Sequence, residues 1–342
     1  FDAVLDDVSI LTSQGITSAD YTASTIVIPA VETSIELMDI PILQDLDDNI
    51  GFYAVANGDA AGFPGASVFG SANNVDFTLH TTINETAVFG LCSTVLGNWV
   101  GARVFDEQNS VTVNVGIGSL ASSTRDVILN NASVNAMLVG SEIVQFATAT
   151  LVSAGVYTLT SLLRGGRGTE QYMVAHVAAE RCVLLTAAGM RRIVLQSSDL
   201  ATLRYYKGVT LNRSLSTGTV KQFTCYGKGL LPFAPVNLRA ARDASNNITF
   251  TWQKRTRLST RLIGSLGISI PLGEQIELYK MIIYASSAFA VIVRLLNPTG
   301  PTATYSAAEQ TADGLTPGNP VSVRLYQVSA TVGTGGQLEQ TL

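Results

Sequence analysis

Arg164 and Arg167 flank two glycines in the run Arg164-Gly165-Gly166-Arg167-Gly168. Two guanidiniums on a glycine turn could clamp a carboxylate or a phosphate with paired hydrogen bonds. They could equally tie the turn to an acid or carbonyl of their own domain, and the spacing leaves both readings open. The turn itself needs backbone angles that only glycine takes cheaply, so Gly165 or Gly168 is expected at positive φ. Other chemistry-bearing groups are sparse. Asp45, Asp47 and Asn49 have the alternate-oxygen spacing of a calcium loop, but Ile50 stands where an EF-hand needs glycine and Ala56 where it needs a bidentate glutamate. An irregular calcium site and an aspartate-capped turn both remain. His80 and His176 have no second ligand at helical or hairpin spacing, so no zinc site is expected. Cys92, Cys182 and Cys225 are odd in number and far apart, which argues for buried free thiols rather than a disulfide framework.

No G-x-S-x-G elbow, H-E-x-x-H helix, Walker A loop or G-x-G-x-x-G turn occurs, so the familiar catalytic arrangements lack their required backbone or ligands. Paired carboxylates for glycoside hydrolysis are defined by separation in space, which counting does not give. The expectation is a chain that is not an enzyme and takes no cofactor.

Composition points to assembly. The 342 residues are 46% hydrophobic and only 14% charged, against about a quarter charged in an ordinary soluble domain. Much of the surface is therefore expected to meet other subunits rather than water. The net charge is -5, and it is unevenly spread: Phe1 to Ala102 contains no lysine or arginine, and every base lies at or beyond Arg103. An acidic first third could dock on the basic remainder of its own or a neighbouring subunit, or could be a solvated face. An acidic chain with few interleaved bases and aromatics is a poor nucleic-acid binder, so any DNA contact is expected to be transient and sequence-blind. The best apolar run, Met281 to Leu296, is interrupted by Ser286, Ser287 and Arg294, and no membrane span is expected. Phe1 is not a start methionine and Asp2 does not suit a cationic leader, which suggests a piece of a longer chain.

The elements that must carry these residues read as strands. Phe77 and Leu79, then Val111, Val113 and Val115, then Val321, Val323 and Leu325 alternate with polar residues at a period of two. Asn-Asn, Gly-Gly and Pro-Gly pairs separate the runs. Thr86 to Leu96 is the most helix-like stretch, although Gly90 also allows a strand. The class is all-β, built from several small sandwiches or barrels. Punctuation divides the chain into trailing strands of a preceding domain (1–50), a small β-domain (51–115), a β-domain carrying the glycine turn (116–231) and a last domain (232–342). Pro232 and Pro235 stiffen the entry to that last domain.

Residues 157–170, YTLTSLLRGGRGTE, followed by His176 and Gly189, resemble the signature of tail-tip hub proteins from long-tailed phages and gene transfer agents. PFAPVNLRAAR, TWQKRTR, PLGEQIELY and QVSATVGTG, between Pro232 and Gly335, recur in that order in the same proteins, and Gly65, Ala66, Phe69 and Ser71 fit the family's strand-turn-strand core. The stretch beyond Pro235 resembles a fibronectin type III domain, with Trp252 turned inward from strand B and Tyr279 in strand C. Val321 departs from that pattern, which usually has a tyrosine at the start of strand F. The insertion from Lys254 to Glu274, with Arg255, Arg257 and Arg261, follows the phage pattern.

The resemblance implies a structural part of a tail tip or baseplate hub at the distal end of the virion tail. It implies a homotrimeric ring joined to distal tail and tape-measure proteins, carrying tail fibre or receptor-binding proteins, with DNA passing through during ejection. Arg164, Gly165, Arg167, Gly168, Trp252 and Tyr279 would then be structural residues. The alternative is a receptor-binding module that contacts a bacterial surface sugar or protein through loops of the last domain, with Tyr284 and Phe289 as the aromatics available to it.

Overall fold

The computed structural model describes residues 32–58, 62–101, 103–258 and 270–342. The expectations for residues 1–31 and for Arg261 lie outside the described residues. Strands β1 (Thr33–Met38), β2 (Gly51–Gly58), β3 (Ala66–Ser71), β4 (Thr78–Ile83), β5 (Phe89–Cys92), β6 (Phe105–Asp106) and β7 (Val111–Asn114) precede a short helix, α1 (Arg125–Asn130). Then come β8 (Ala136–Val139), β9 (Glu142–Ser153), β10 (Val156–Leu163), β11 (Arg181–Leu184), β12 (Met190–Val194), β13 (Leu203–Thr210) and β14 (Val220–Thr224). The last part holds β15 (Val236–Arg242), β16 (Ile248–Gln253), β17 (Tyr279–Tyr284), β18 (Ile292–Leu296), β19 (Thr302–Tyr305), helix α2 (Ala307–Ala312), β20 (Ser322–Ser329) and β21 (Gly333–Thr341). The fold is all-β, and no helix among the described residues is long and apolar enough to cross a membrane.

A three-stranded sheet, β1-β2-β12, lies at the centre. One of its faces packs Leu37, Phe52 and Ile193 against Val68, Ile83 and Tyr206 of the sheet β14-β13-β3-β4. The other face packs Met38, Tyr53 and Val55 against Phe89, Leu138 and Val183 on the outside of a barrel. Burial on both faces explains why β2, GFYAVANG, is buried along its whole length and does not alternate.

The barrel runs β10-β7-β5-β11-β8-β9 and closes where β9 pairs with β10, all antiparallel, so its six strands leave no free edge. Val111, Val113, Phe146 and Leu159 fill its interior. The helix-like stretch 86–96 forms β5: a Cβ at Gly90 would sit 1.9 Å from the Asn114 carbonyl oxygen, an approach that a neighbouring strand demands. Among the runs that alternate, Val111, Val113 and Val115 face the barrel core, and Val321, Val323 and Leu325 face the sandwich core. Phe77 and Leu79 do not. Leu79 is exposed and Phe77 lies under the Lys207 ammonium, because β3 and β4 shift register between Val68 and Phe69.

Strand pairing crosses the expected boundaries at 50 and 115. β1 pairs with β2 across the first boundary, while β12 returns to β2 and β13 to β3 across the second. Punctuation marks turns along the chain, whereas partners are chosen by matching apolar faces from distant segments. The part from 232 onward is a two-sheet sandwich, β15-β16-β19 against β18-β17-β20-β21, with the strand order of a fibronectin type III-like domain. Trp252 is 5% exposed and meets the Tyr279 ring edge-on at 5.1 Å. Where the usual tyrosine is Val321, Tyr305 at the end of β19 ties the corner instead, its hydroxyl donating to Asp313 at 2.8 Å.

Candidate functional site

β10 runs straight out of the barrel into Arg164, and its guanidinium is sealed from water. It grips Glu142, the first residue of β9, with Nε to Oε1 and Nη2 to Oε2, both at 2.8 Å. Nη1 donates to Asp106 at 3.0 Å and to the Gly97 carbonyl, and Nη2 also reaches the Met173 carbonyl. Glu142 takes the Gly165 amide at 2.7 Å as well. Asp106 is held by the Gln108 and Asn109 amides. A buried charge is tolerable only when paired and fully hydrogen-bonded, and this fork satisfies both demands. Of the two chemistries open to Arg164, the structure places it on acids and carbonyls of its own barrel.

His176 closes the cluster. One ring nitrogen meets Glu142 at 2.9 Å and the other meets Glu180 at 2.7 Å. Burial, the largest single influence, opposes charge on the imidazole, but the two carboxylates together outweigh it and raise His176 above its ordinary value. The raised value fixes a sign. Stability from the charged ring is complete below the unfolded value of about 6.5 and is lost as pH rises through the higher folded value. The urea midpoint of the wild-type chain should therefore fall as pH is raised from about 6 to 9, and His176→Gln should flatten that fall. Equal slopes for the two proteins would remove His176 from the account.

The rest of the glycine turn forms a joint. Gly165 has φ 64° and Gly168 φ 80°. A Cβ at Gly168 would also lie 2.2 Å from the Phe233 ring in the linker, so shape and backbone both require glycine there. Glu170 pairs with Arg255 of the sandwich at 2.7 Å, and Arg255 stacks over Phe233. Gly336 of β21 donates its amide to the Pro232 carbonyl. The signature thus locks the barrel floor and seats the sandwich on it.

Arg167 points elsewhere. It is a non-glycine residue at φ 54°, and its guanidinium donates to the Ile42 carbonyl at the edge of a cleft of about 230 Å³. Arg192, Tyr53, Asp47, Leu185 and Met190 also line this cleft. Arg192 lies over the Tyr53 ring and donates to the Asp47 and Asn49 carbonyls. Tyr53 donates to Asp47 at 2.5 Å, and burial followed by that carboxylate pushes its phenol up.

The acidic first third does meet the basic remainder within the chain. Glu36 pairs with Lys221 at 2.6 Å, and Asp48 with Arg257. Asp45 to Asp47 form a 3-10 turn, and among the described residues no three His, Cys, Asp or Glu side chains gather to hold a metal. All three cysteines are buried with free thiols. Tyr284 and Phe289 are not free loop aromatics: their rings meet at 5.4 Å, and Arg324 covers both. Sequence reasoning missed Asp106, Glu142 and Arg192. Beyond Arg164 and Gly165, the four-residue spacing of His176 and Glu180 carried a trace of the cluster that the sequence reading passed over.

Residues 87–183 match the family model described as Rcc01698-like, C-terminal, a family related to gene transfer agents. The matched span opens just before β5 and ends within β11, so it coincides with the closed barrel and the loop it carries. No curated protein matches the chain. Among solved structures, the chain is similar to the FN1–FN3 domains of chicken CNTN1 at 9% identity, covering 91% of this chain and 97% of that one, with a TM-score of 0.23. A likeness that slight adds nothing to the fold already described.

Proposed function

We propose that the chain is a structural, non-catalytic part of a tail-tip or baseplate hub of a phage or phage-like particle, supporting host attachment and DNA ejection. The observation that carries this reading is the family-model match falling on the barrel that bears the arginine-glycine signature. The chemistry of the site agrees with it. Arg164 is consumed by internal pairing, and Gly168 and Glu170 are consumed by the joint, so the signature holds shape instead of presenting reactive groups.

The surface supports assembly. Val100 is 92% exposed, and Leu151 and Val152 stand out at the tip of the β9–β10 hairpin. Ile292 and Leu295 are exposed on β18, an edge strand, and so is Val291 just before it. Apolar groups at an open edge invite a partner. We assign them to contacts within a closed ring, three-fold by the resemblance, each subunit burying more than about 2,000 Å² as permanent interfaces do. The distal tail and tape-measure proteins would lie on one side of the ring, and tail fibre or receptor-binding proteins outside it. The receptor-binding alternative loses its two aromatics to the Arg324 stack. Gold-labelled antibody against this chain should mark the distal end of the tail on purified particles; label confined to the head would overturn the proposal.

A further inference from the structure

The cleft beside Arg167 is not explained by a structural joint. Arg167 and Arg192 both line it, and among the described residues neither makes a salt bridge. Arg192 is the sharper case, because its Nη1 is buried without any hydrogen-bond partner while Nη2 and Nε are engaged by the 47–49 turn. A buried N–H left unpaired on a charged group is costly. Arg167 adds a second departure: a side chain that meets one carbonyl is held on a left-handed residue, a strained conformation that persists where surroundings impose it. Burial, the largest influence on it, lowers Arg167 below its ordinary value, so its charge is poorly hydrated.

The one carboxylate in the wall is already engaged. Asp47 accepts from Tyr53 through Oδ2 and from Gln44 through Oδ1. Two guanidiniums against one carboxylate leave the cleft a net positive charge. Asp45 acts on Arg167 through space, but it is exposed and screened by solvent. The rest of the lining is mostly apolar, with Leu43, Ala136, Leu185 and Met190 beside the polar Gln44 and Ser133. At about 30 Å³ per water, the space holds the equivalent of roughly eight waters, and because bonded atoms pack closer than separate waters it has room for a ligand of roughly a dozen non-hydrogen atoms.

We propose that this cleft binds a small monocarboxylate, its oxygens on the Arg167 and Arg192 guanidiniums and its carbon body against the Leu185 and Met190 wall. A planar carboxylate suits the fork of a guanidinium, and the apolar wall disfavours a fully hydrated phosphate. The carboxylate can belong to a short aliphatic acid or to an acidic sugar, and both place one anionic group on the same arginines. The proposal does not depend on the tail-tip reading.

The test is a titration of the full chain, methyl-labelled at methionine, following Met190. The probes are 3-methylbutanoate, galacturonate, the uncharged 3-methylbutanamide and galactose, and inorganic phosphate. At least one carboxylate should shift the Met190 methyl saturably, with affinity at least about tenfold above its uncharged counterpart. Preference for 3-methylbutanoate identifies the aliphatic source, and preference for galacturonate identifies the sugar. Arg192→Gln and Arg192→Lys should both weaken binding, the second because an ammonium keeps the charge but loses the fork. Unchanged amide dispersion in each variant separates lost binding from lost folding. Equal binding of charged and uncharged probes, tighter binding of phosphate than of either acid, or no shift with any probe would overturn the proposal.

Discussion

Arg164→Met should destabilise the chain by about 3–5 kcal/mol, the cost of breaking a buried ion pair from one side. The methionine would leave Glu142 with only the Gly165 amide and His176, and Asp106 with only amide donors, both without water. Loss should concentrate on the barrel floor, where β6, β9 and β10 meet the loop after residue 164. Arg164→Lys should recover little, because a single ammonium cannot bridge the Glu142 pair and Asp106 at the observed angles. The double variant Arg164→Met, Glu142→Leu should be less damaged than the sum of its single changes, since the orphaned carboxylate is gone. Urea unfolding of the wild type, Arg164→Met, Arg164→Lys, Glu142→Leu and the double variant decides this. A loss under about 1 kcal/mol for Arg164→Met would show that the cluster is not what holds the floor.

Trp252→Ala should cost about 3–5 kcal/mol in the sandwich, the range for emptying a large aromatic site in a core. The indole packs on Tyr279, and Leu238, Phe250 and Leu325 belong to the same core. No disulfide spans the two sheets to limit the loss. A melt followed by sandwich amide resonances should show the change there, with the barrel resonances nearly unmoved. A uniform loss across both parts would mean that the joint at Gly168 and Phe233 couples them into one cooperative unit.

Legibility in the sequence followed the range of the interaction. Val111, Val113 and Val115 announced a strand because a half-buried strand prints its own period, whereas Trp252 was placed in a sandwich core through the resemblance to a fibronectin strand B. β2 was harder, since burial on both faces erases alternation. The pairing of β12 with β2 and of β13 with β3 had no local mark, for those contacts join residues more than a hundred positions apart. Helix α2 did carry a signal, the Ser306 to Glu309 capping box, visible as S-x-x-E. The candidate site divides in the same way. Gly165 and Gly168 could be read from the turn they make, whereas Glu142 and Asp106 come to Arg164 only through barrel closure. Arg192 comes to the cleft because β12 pairs with β2, which sets it beside Tyr53 from more than a hundred positions away.

The central claim is that this barrel and its sandwich are built into a ring at the distal end of a tail. An electron cryomicroscopy map of the intact particles, focused on the tail tip, tests it most directly. The account predicts three copies around the tail axis, each showing the closed barrel packed on the central sheet, with the sandwich seated at the 164–170 loop. Density for this chain away from the tail axis, as a lone copy on a fibre or on the head, would contradict it.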